Sequence, residues 1–331
     1  MAISIEDIKK LRAMTGAGLA DVKKALTEAE GDFDKAKELL RERGLAIAAK
    51  RSDRETSNGC VLVKNVDGFA AMIALKCETD FVANGADFVK LTSDILDAAI
   101  AAKCHTLDEV KALKLGEGDV QAAVTQRSGI TGEKMELDGY CVLEGDNIEV
   151  YDHMNKHTLC TMVQLNENNE EAGHKVAMQV AAMRPVALDE SSVSKETKKT
   201  EFEVAVAKTK EELVEKAVNA ALKKAGINPA HVDSEEHIES NTKKGWLTPE
   251  QAEEARNIKQ TVGEEKAATL NPTMIQNIAN GRLAKFFKEN CLVDQEFQFG
   301  DGDKQTVAQY LASQSKDLKI VAYQRFTLAA E

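Results

Sequence analysis

Apolar positions spaced three and four apart open the chain and divide its start into three short helices. Ser4 stands before an Ile5, Ile8, Leu11 stripe with Asp7 three residues on, the spacing of a capping box. Thr15-Gly16-Ala17-Gly18 interrupts that stripe, and Leu19, Val22 and Leu26 form a second one. Gly31-Asp32 separates it from Phe33, Ala36, Leu39 and Leu40, whose helix is expected to stop at Gly44. Leu45 to Ser57 then reads as a connector, in which Arg51, Asp53, Arg54 and Glu55 suit a solvated linker.

From Gly59 the pattern becomes strand-like. Cys60 to Val63, a turn at Asn65-Val66-Asp67-Gly68 and Phe69 to Leu75 predict a hairpin. It runs into Cys77-Glu78-Thr79-Asp80-Phe81-Val82-Ala83, after which Phe88, Val89, Leu91, Ile95, Leu96 and Ile100 recur at helical spacing. The order returns further on: a hairpin from Tyr140-Cys141-Val142-Leu143 to Leu159–Val163, then a helix through Ala172, Val176, Ala177, Val180 and Met183 that stops at Arg184-Pro185. Two hairpin-plus-helix units suggest an internal duplication, and only the first carries the aromatic tip; the second has Asn166-Glu167-Asn168 there.

Between Ser191 and Gly263 the chain is charged and helical, with a narrow seam of Phe202, Val206, Thr209, Leu213, Ala217 and Ala220. Breaks at Asn228-Pro229 and Thr248-Pro249 permit an antiparallel return helix through Ala252, Ala255 and Ile258, with Trp246 in an elaborated tip. After Pro272 a stripe of Ile275, Ile278, Leu283, Phe286 and Phe287 and a strand from Ile320 to Phe326 lead back to the body. Hairpin-then-helix blocks without βαβ alternation make the fold class α+β with antiparallel sheets. The expected division is 1–55 as a three-helix module, 56–138 as one core half, 139–190 with 264–331 as the other, and 191–263 as an inserted coiled-coil hairpin.

Composition narrows the function. At 331 residues, with 43% hydrophobic and 30% charged positions and four prolines, the chain is ordered and helix-rich. The net charge of -12 opposes a role in nonspecific nucleic-acid binding, which needs basic surface. Residues 1 to 51 nonetheless hold eleven Lys/Arg against nine Asp/Glu, so a mildly basic module leads an acidic body. Six cysteines stand singly, with no CxxC pair, and read as reduced thiols. No basic-then-apolar leader opens the chain and no apolar run is long enough to span a membrane, so a cytoplasmic protein without a membrane partner is expected.

Catalytic signatures are missing. There is no GxxxxGK[ST], no GxGxxG between strand and helix and no GxSxG. Gly129-Ile130-Thr131-Gly132-Glu133-Lys134 has the wrong glycine spacing for a phosphate loop. His153 and His157 flank a turn at Met154-Asn155-Lys156, which does not suit chelation, and Cys77 beside Glu78 reads as a core thiol. No cofactor, catalytic residue or metal ligand is therefore expected. The Thr79 to Ala83 segment has two readings. Thr79 or Asp80 caps a helix with Phe81 and Val82 packed beneath it, or an acidic and an aromatic side chain are presented at a rigid strand end for insertion into a partner.

At this segment the sequence resembles the bacterial elongation factor Ts family, whose signature Cys77-Glu78-Thr79-Asp80-Phe81-Val82-Ala83 is similar to. The resemblance covers nearly the whole chain. Leu11-Arg12 to Val22-Lys23-Lys24-Ala25-Leu26, with Thr15-Gly16-Ala17-Gly18, resembles the family's ubiquitin-associated-like module; the duplicated units resemble its core and the helical hairpin its coiled coil. The resemblance implies a guanine nucleotide exchange factor that binds elongation factor Tu in GDP-bound and nucleotide-free forms and has no nucleotide or direct nucleic-acid partner of its own. It implies that Asp80, Phe81, Val82 and Ala83 form the loop that dislodges the partner's Mg²⁺. Further contacts are implied at Lys23, at Thr131 and Gly132, at His153, and at Gln298 and Phe299, where Glu296 replaces the family's usual proline. The alternatives are a binding adaptor that uses the three-helix module, or a thiol or metal enzyme built on Cys77 and the histidine pair.

Overall fold

Ser4 caps the first helix in the manner its spacing predicts: its Oγ accepts the Asp7 amide at 3.0 Å, and Asp7 Oδ2 accepts the Ser4 amide at 3.1 Å. The computed structural model describes residues 3–300, 302 and 304–329, so Met1, Ala2, Asp301, Asp303, Ala330 and Glu331 lie outside the described residues. Helices α1 (Ile5–Thr15), α2 (Leu19–Glu28) and α3 (Phe33–Lys50) close over Leu11, Val22, Ala25, Leu26 and Ala36. The stop expected at Gly44 is absent, and α3 continues to Lys50. Gly44 serves packing instead of capping: a Cβ added at Gly129 would lie 2.2 Å from the Gly44 Cα, so the two backbones meet where no side chain fits.

Strands β1 (Asn58–Val66) and β2 (Phe69–Cys77) form the predicted hairpin, turned through Asp67 (φ 50) and Gly68 (φ 78), both left-handed as a tight two-residue turn requires. The chain continues through α4 (Asp80–Ala83), α5 (Ala86–Ala101), α6 (Leu107–Ala112), the short β3 (Lys114–Leu115) and β4 (Gly118–Asp119), and α7 (Val120–Thr131). Next comes β5 (Met135–Glu144), which corrects one expectation. Tyr140 to Leu143 do not open the second hairpin; they belong to β5, which pairs with β2 to give the sheet order β1-β2-β5. A boundary at 138/139 would cut this strand.

The second hairpin is β6 (Ile148–Asp152) and β7 (Leu159–Leu165), followed by α8 (Glu170–Met183). Near the end of the chain, after α13 (Val307–Gln314), β8 (Ile320–Thr327) pairs with β7, giving the order β6-β7-β8. Each half is thus a hairpin, helical material and a returning third strand. Each third strand also pairs with a register shift, at Ala74/Leu75 in one half and Gln164/Leu165 in the other.

The strand β2 is buried on both faces, and its period of two sorts its residues. Phe69, Ala71, Ile73, Leu75 and Cys77 meet α5 and α7, while Ala70, Met72 and Ala74 meet the second sheet through Ile148, Cys160 and Met162. Helix α8 covers the other side of the second sheet, where Thr161 Oγ donates to the Ala177 carbonyl at 3.0 Å. The result is a helix, sheet, sheet, helix arrangement that includes the three-helix module through the packing of α3 on α7.

Asp189–Asp294 form a separate helical unit. Its helices are α9 (Lys195–Lys224), α10 (Glu235–Lys243), α11 (Pro249–Ala268) and α12 (Pro272–Asn290). The insertion expected at 191–263 is therefore extended: α12, assigned from sequence to the core half that resumes at 264, packs along α9, with Arg282 paired to Glu212 and the Lys198 ammonium over the Phe287 ring. Because α9 meets two helices in succession, its buried positions are Ala205, Thr209, Val218 and Leu222, and Ala220 of the expected seam is exposed. Ile227, Val232, Ile238 and Leu247 add a small core at the tip, while Trp246 stays exposed beside His231 and Lys244. No helix among the described residues is long and apolar enough to cross a membrane.

Candidate functional site

Where β2 ends, the chain makes a single helical turn, α4, and then enters α5. Thr79 caps the turn, its Oγ accepting the Val82 amide at 3.4 Å. Asp80 does not cap. Among the described residues no side chain pairs with its carboxylate, which faces solvent. Ala83 is buried and Val82 packs partly against the core, but Phe81 is 87% exposed, the most exposed large apolar side chain among the described residues. The two sequence readings thus divide by residue: the cap and Val82 follow the first, and the Asp80 and Phe81 side chains stand free as the second requires.

A four-residue helix does not hold itself, because nucleation costs more than one turn of hydrogen bonds returns. Polar contacts, most of them from distant segments, hold this one. The Cys77 thiol donates to the Thr79 carbonyl at 3.2 Å and Asn58 Nδ2 donates to the Glu78 carbonyl at 2.9 Å. The Glu78 carboxylate, 12% exposed, accepts the Lys134 amide at 2.6 Å, Arg51 Nη1 at 3.1 Å and Arg54 Nη1 at 3.2 Å. The Lys134 amide first, and then the Arg51 guanidinium, hold its pKa below the usual glutamate range. Glu133 accepts the Thr79 amide at 3.1 Å and the Thr79 hydroxyl at 2.6 Å, and Asn84 Nδ2 donates to the Asp80 carbonyl at 2.9 Å.

Thr131 and Gly132 end α7, Gly132 in the left-handed conformation at φ 73, and lie next to the Glu133 that grips Thr79. The structure therefore brings them to the root of the loop. Lys23 is exposed on α2, within the three-helix module. His153 lies in the turn after β6, its Nδ1 3.1 Å from the Tyr151 hydroxyl, and His157 Nδ1 pairs with the Asp152 carboxylate. The Gln298 amide donates to Gln179 Oε1 at 3.0 Å, and Phe299 lies edge-on to Phe297, which stacks on Tyr310. Among the described residues no hydrogen bond, ion pair or ring contact links Lys23, His153, Gln298 or Phe299 to the loop.

Arg51, Arg54, Glu78 and Glu133 escape the sequence reading. The first two look like linker charges, and no local signal marks them, because the Glu78 they pair with lies 27 and 24 residues further along the chain. The six cysteines are free; burial pushes Cys77 up to about 12, leaving a protonated thiol that donates to the loop backbone. Among the described residues no group of three or more His, Cys, Asp or Glu side chains could hold a metal ion.

The family model described as Elongation factor TS matches residues 78–330, which begins at Glu78 and includes the whole Asp80 to Ala83 turn. A Bacteroides fragilis protein named Elongation factor Ts is 62% identical over 332 residues, covering all of both chains. Proteins of the same name from Parabacteroides distasonis and Porphyromonas gingivalis are 60% and 39% identical, again over the full length of both. With most of its length matched by the family model and full-length relatives well above the level at which kinship is secure, this chain belongs to the elongation factor Ts family.

Proposed function

We propose that the chain is a guanine nucleotide exchange factor for elongation factor Tu and that it acts by binding, with no bond made or broken in its own site. Exchange requires only that it bind the nucleotide-free partner more tightly than the GDP-bound one; reciprocity then makes GDP and the factor weaken each other. Each tenfold of that weakening needs about 1.4 kcal/mol of differential binding. Phe81 is the natural source. Its ring is almost wholly in water in the free protein, and burying it in an apolar pocket is worth about 1.5 to 3 kcal/mol.

Asp80 adds an unpaired carboxylate beside that ring. Brought close to the partner's Mg²⁺ site, it competes for the ion and disturbs its coordination, and loss of the ion removes charge neutralisation from the GDP phosphates. Val82 and Ala83 seat the turn on the core. Lys23, Thr131, Gly132, His153, Gln298 and Phe299 provide further partner contacts in this reading, and their spread over the first unit suits a broad interface in which only the loop acts on the nucleotide. The observation that carries the reading is Phe81, exposed on a turn whose backbone is fixed by Glu78, Thr79 and Glu133. Stopped-flow release of fluorescent GDP from elongation factor Tu, with and without the chain, tests it. Acceleration that saturates with the chain is expected, and an unchanged release rate contradicts it.

A further inference from the structure

Asp80 and Phe81 have no contacts that fix where they point, so their pose is inherited from whatever holds Glu78 and Thr79. Besides Asn58 and Cys77, which bond the Glu78 and Thr79 carbonyls, two arms do so, and both come from far along the chain. One is the turn after α3, which brings Arg51 and Arg54 to the Glu78 carboxylate. The other is the segment after α7, where the Lys134 amide donates to Glu78 and the Glu133 carboxylate receives both the amide and the hydroxyl of Thr79.

These arms are not independent. Helix α3 is the last helix of the N-terminal module, and it crosses α7 at Gly44 and Gly129 so closely that a Cβ on Gly129 would lie 2.2 Å from the Gly44 Cα. The near end of the module and the far end of α7 therefore move as one piece, and both grip the root of the loop. Arg51, with 32% of its side chain exposed, is the stronger cationic contact; Arg54, at 57%, is more screened by water.

We propose that Glu78 and Glu133 are positioning residues for exchange, and that Arg51 and Arg54 transmit the seating of the three-helix module to the Phe81 tip. This rests on the reading that Phe81 is the inserted group. The module, in which Lys23 lies, is then more than a second anchor: docking it on the partner sets the angle at which the ring enters. Glu78 is suited to the task because its carboxylate is ionised at neutral pH and its acceptor sites are filled by three residues from two segments at once. Loosening it leaves the ring present but badly aimed, which lowers the maximal rate of GDP release more than it weakens binding.

The test uses the full-length chain and elongation factor Tu loaded with fluorescent GDP. Glu78→Gln keeps the side-chain shape but removes the charge, and Arg51→Ala with Arg54→Ala removes the module's arm. Each is expected to lower the maximal release rate by about tenfold, the scale of one lost charge-assisted bond, with the half-saturating concentration changed less than about threefold. Combined with Phe81→Ala, Glu78→Gln is expected to cause no further loss, because it acts through the ring. A spectroscopic readout separates aiming from folding. Trp246 is the only tryptophan, so Trp246→Phe with Phe81→Trp places a single indole at the tip. Adding Glu78→Gln is expected to lower its fluorescence anisotropy while the far-UV signal is unchanged. A full maximal rate in Glu78→Gln, or an effect that adds to Phe81→Ala, overturns the positioning role even if Phe81→Ala alone is slow. A full rate in Phe81→Ala alone overturns the inserted-ring reading, and the proposal with it.

Discussion

Substitution of Gly129 by alanine tests the junction between the three-helix module and the core. The added methyl would sit 2.2 Å from the Gly44 Cα and 3.0 Å from its carbonyl carbon, both backbone atoms that cannot rotate away. Reaching ordinary contact near 3.4 Å requires α3 and α7 to separate by about 1.2 Å, and overpacking of this kind costs roughly 1 to 3 kcal/mol. Alanine's better helix propensity returns at most about 1 kcal/mol. The mirror substitution is different. A methyl on Gly44 meets the Gly129 Cα at 3.5 Å, an ordinary contact, so Gly44→Ala should be neutral or slightly stabilising. Urea unfolding of both variants supplies the comparison: Gly129→Ala is expected to lower the midpoint and Gly44→Ala is not. Equal midpoints would refute the crossing, and with it the mechanical link between module and loop.

Three further expectations follow from other parts of the molecule. A Cβ on Gly139 would lie 2.3 Å from the Phe326 ring between the two sheets, so Gly139→Ala should destabilise by about 1 to 3 kcal/mol and Phe326→Leu should recover part of the loss in the double variant, measured by urea unfolding. Burial pushes both Cys60 and Cys77 up to about 12, so at pH 8 neither should react with a thiol reagent faster than the protein unfolds, and rapid labelling of either would contradict their burial. The pKa of Glu78 lies below the usual glutamate range, so its stabilising contribution is complete above that range and is lost as pH falls through the folded-state value. The stability gap between wild type and Glu78→Gln should therefore be widest at neutral pH and close under acid; a gap unchanged at pH 3 contradicts the clamp.

Local chemistry was readable and long-range chemistry was not. Ser4 with Asp7 and the Asp67-Gly68 turn fix their elements through neighbours in sequence, and each stands where its spacing placed it. Gly44 misled because a glycine after an apolar stripe looks the same whether it ends a helix or admits another backbone. Tyr140 to Leu143 alternate as a strand should, but alternation does not name a pairing partner, and theirs is β2. Phe202 and Leu213 fit one narrow seam, whereas α9 turns successive faces to α12 and α11. At the loop, the sequence offered Phe81 as either core or tip. Its exposure depends on Arg51, Glu133 and Lys134, none of which is near it in the chain.

The most direct measurement of the central claim is GDP release from elongation factor Tu driven by Phe81→Ala beside the wild-type chain. Because the ring is 87% exposed, its removal should leave the unfolding midpoint unchanged. The maximal release rate should nevertheless fall by at least about tenfold, as expected from loss of a buried ring in the complex. Wild-type release rates in that variant would contradict the account.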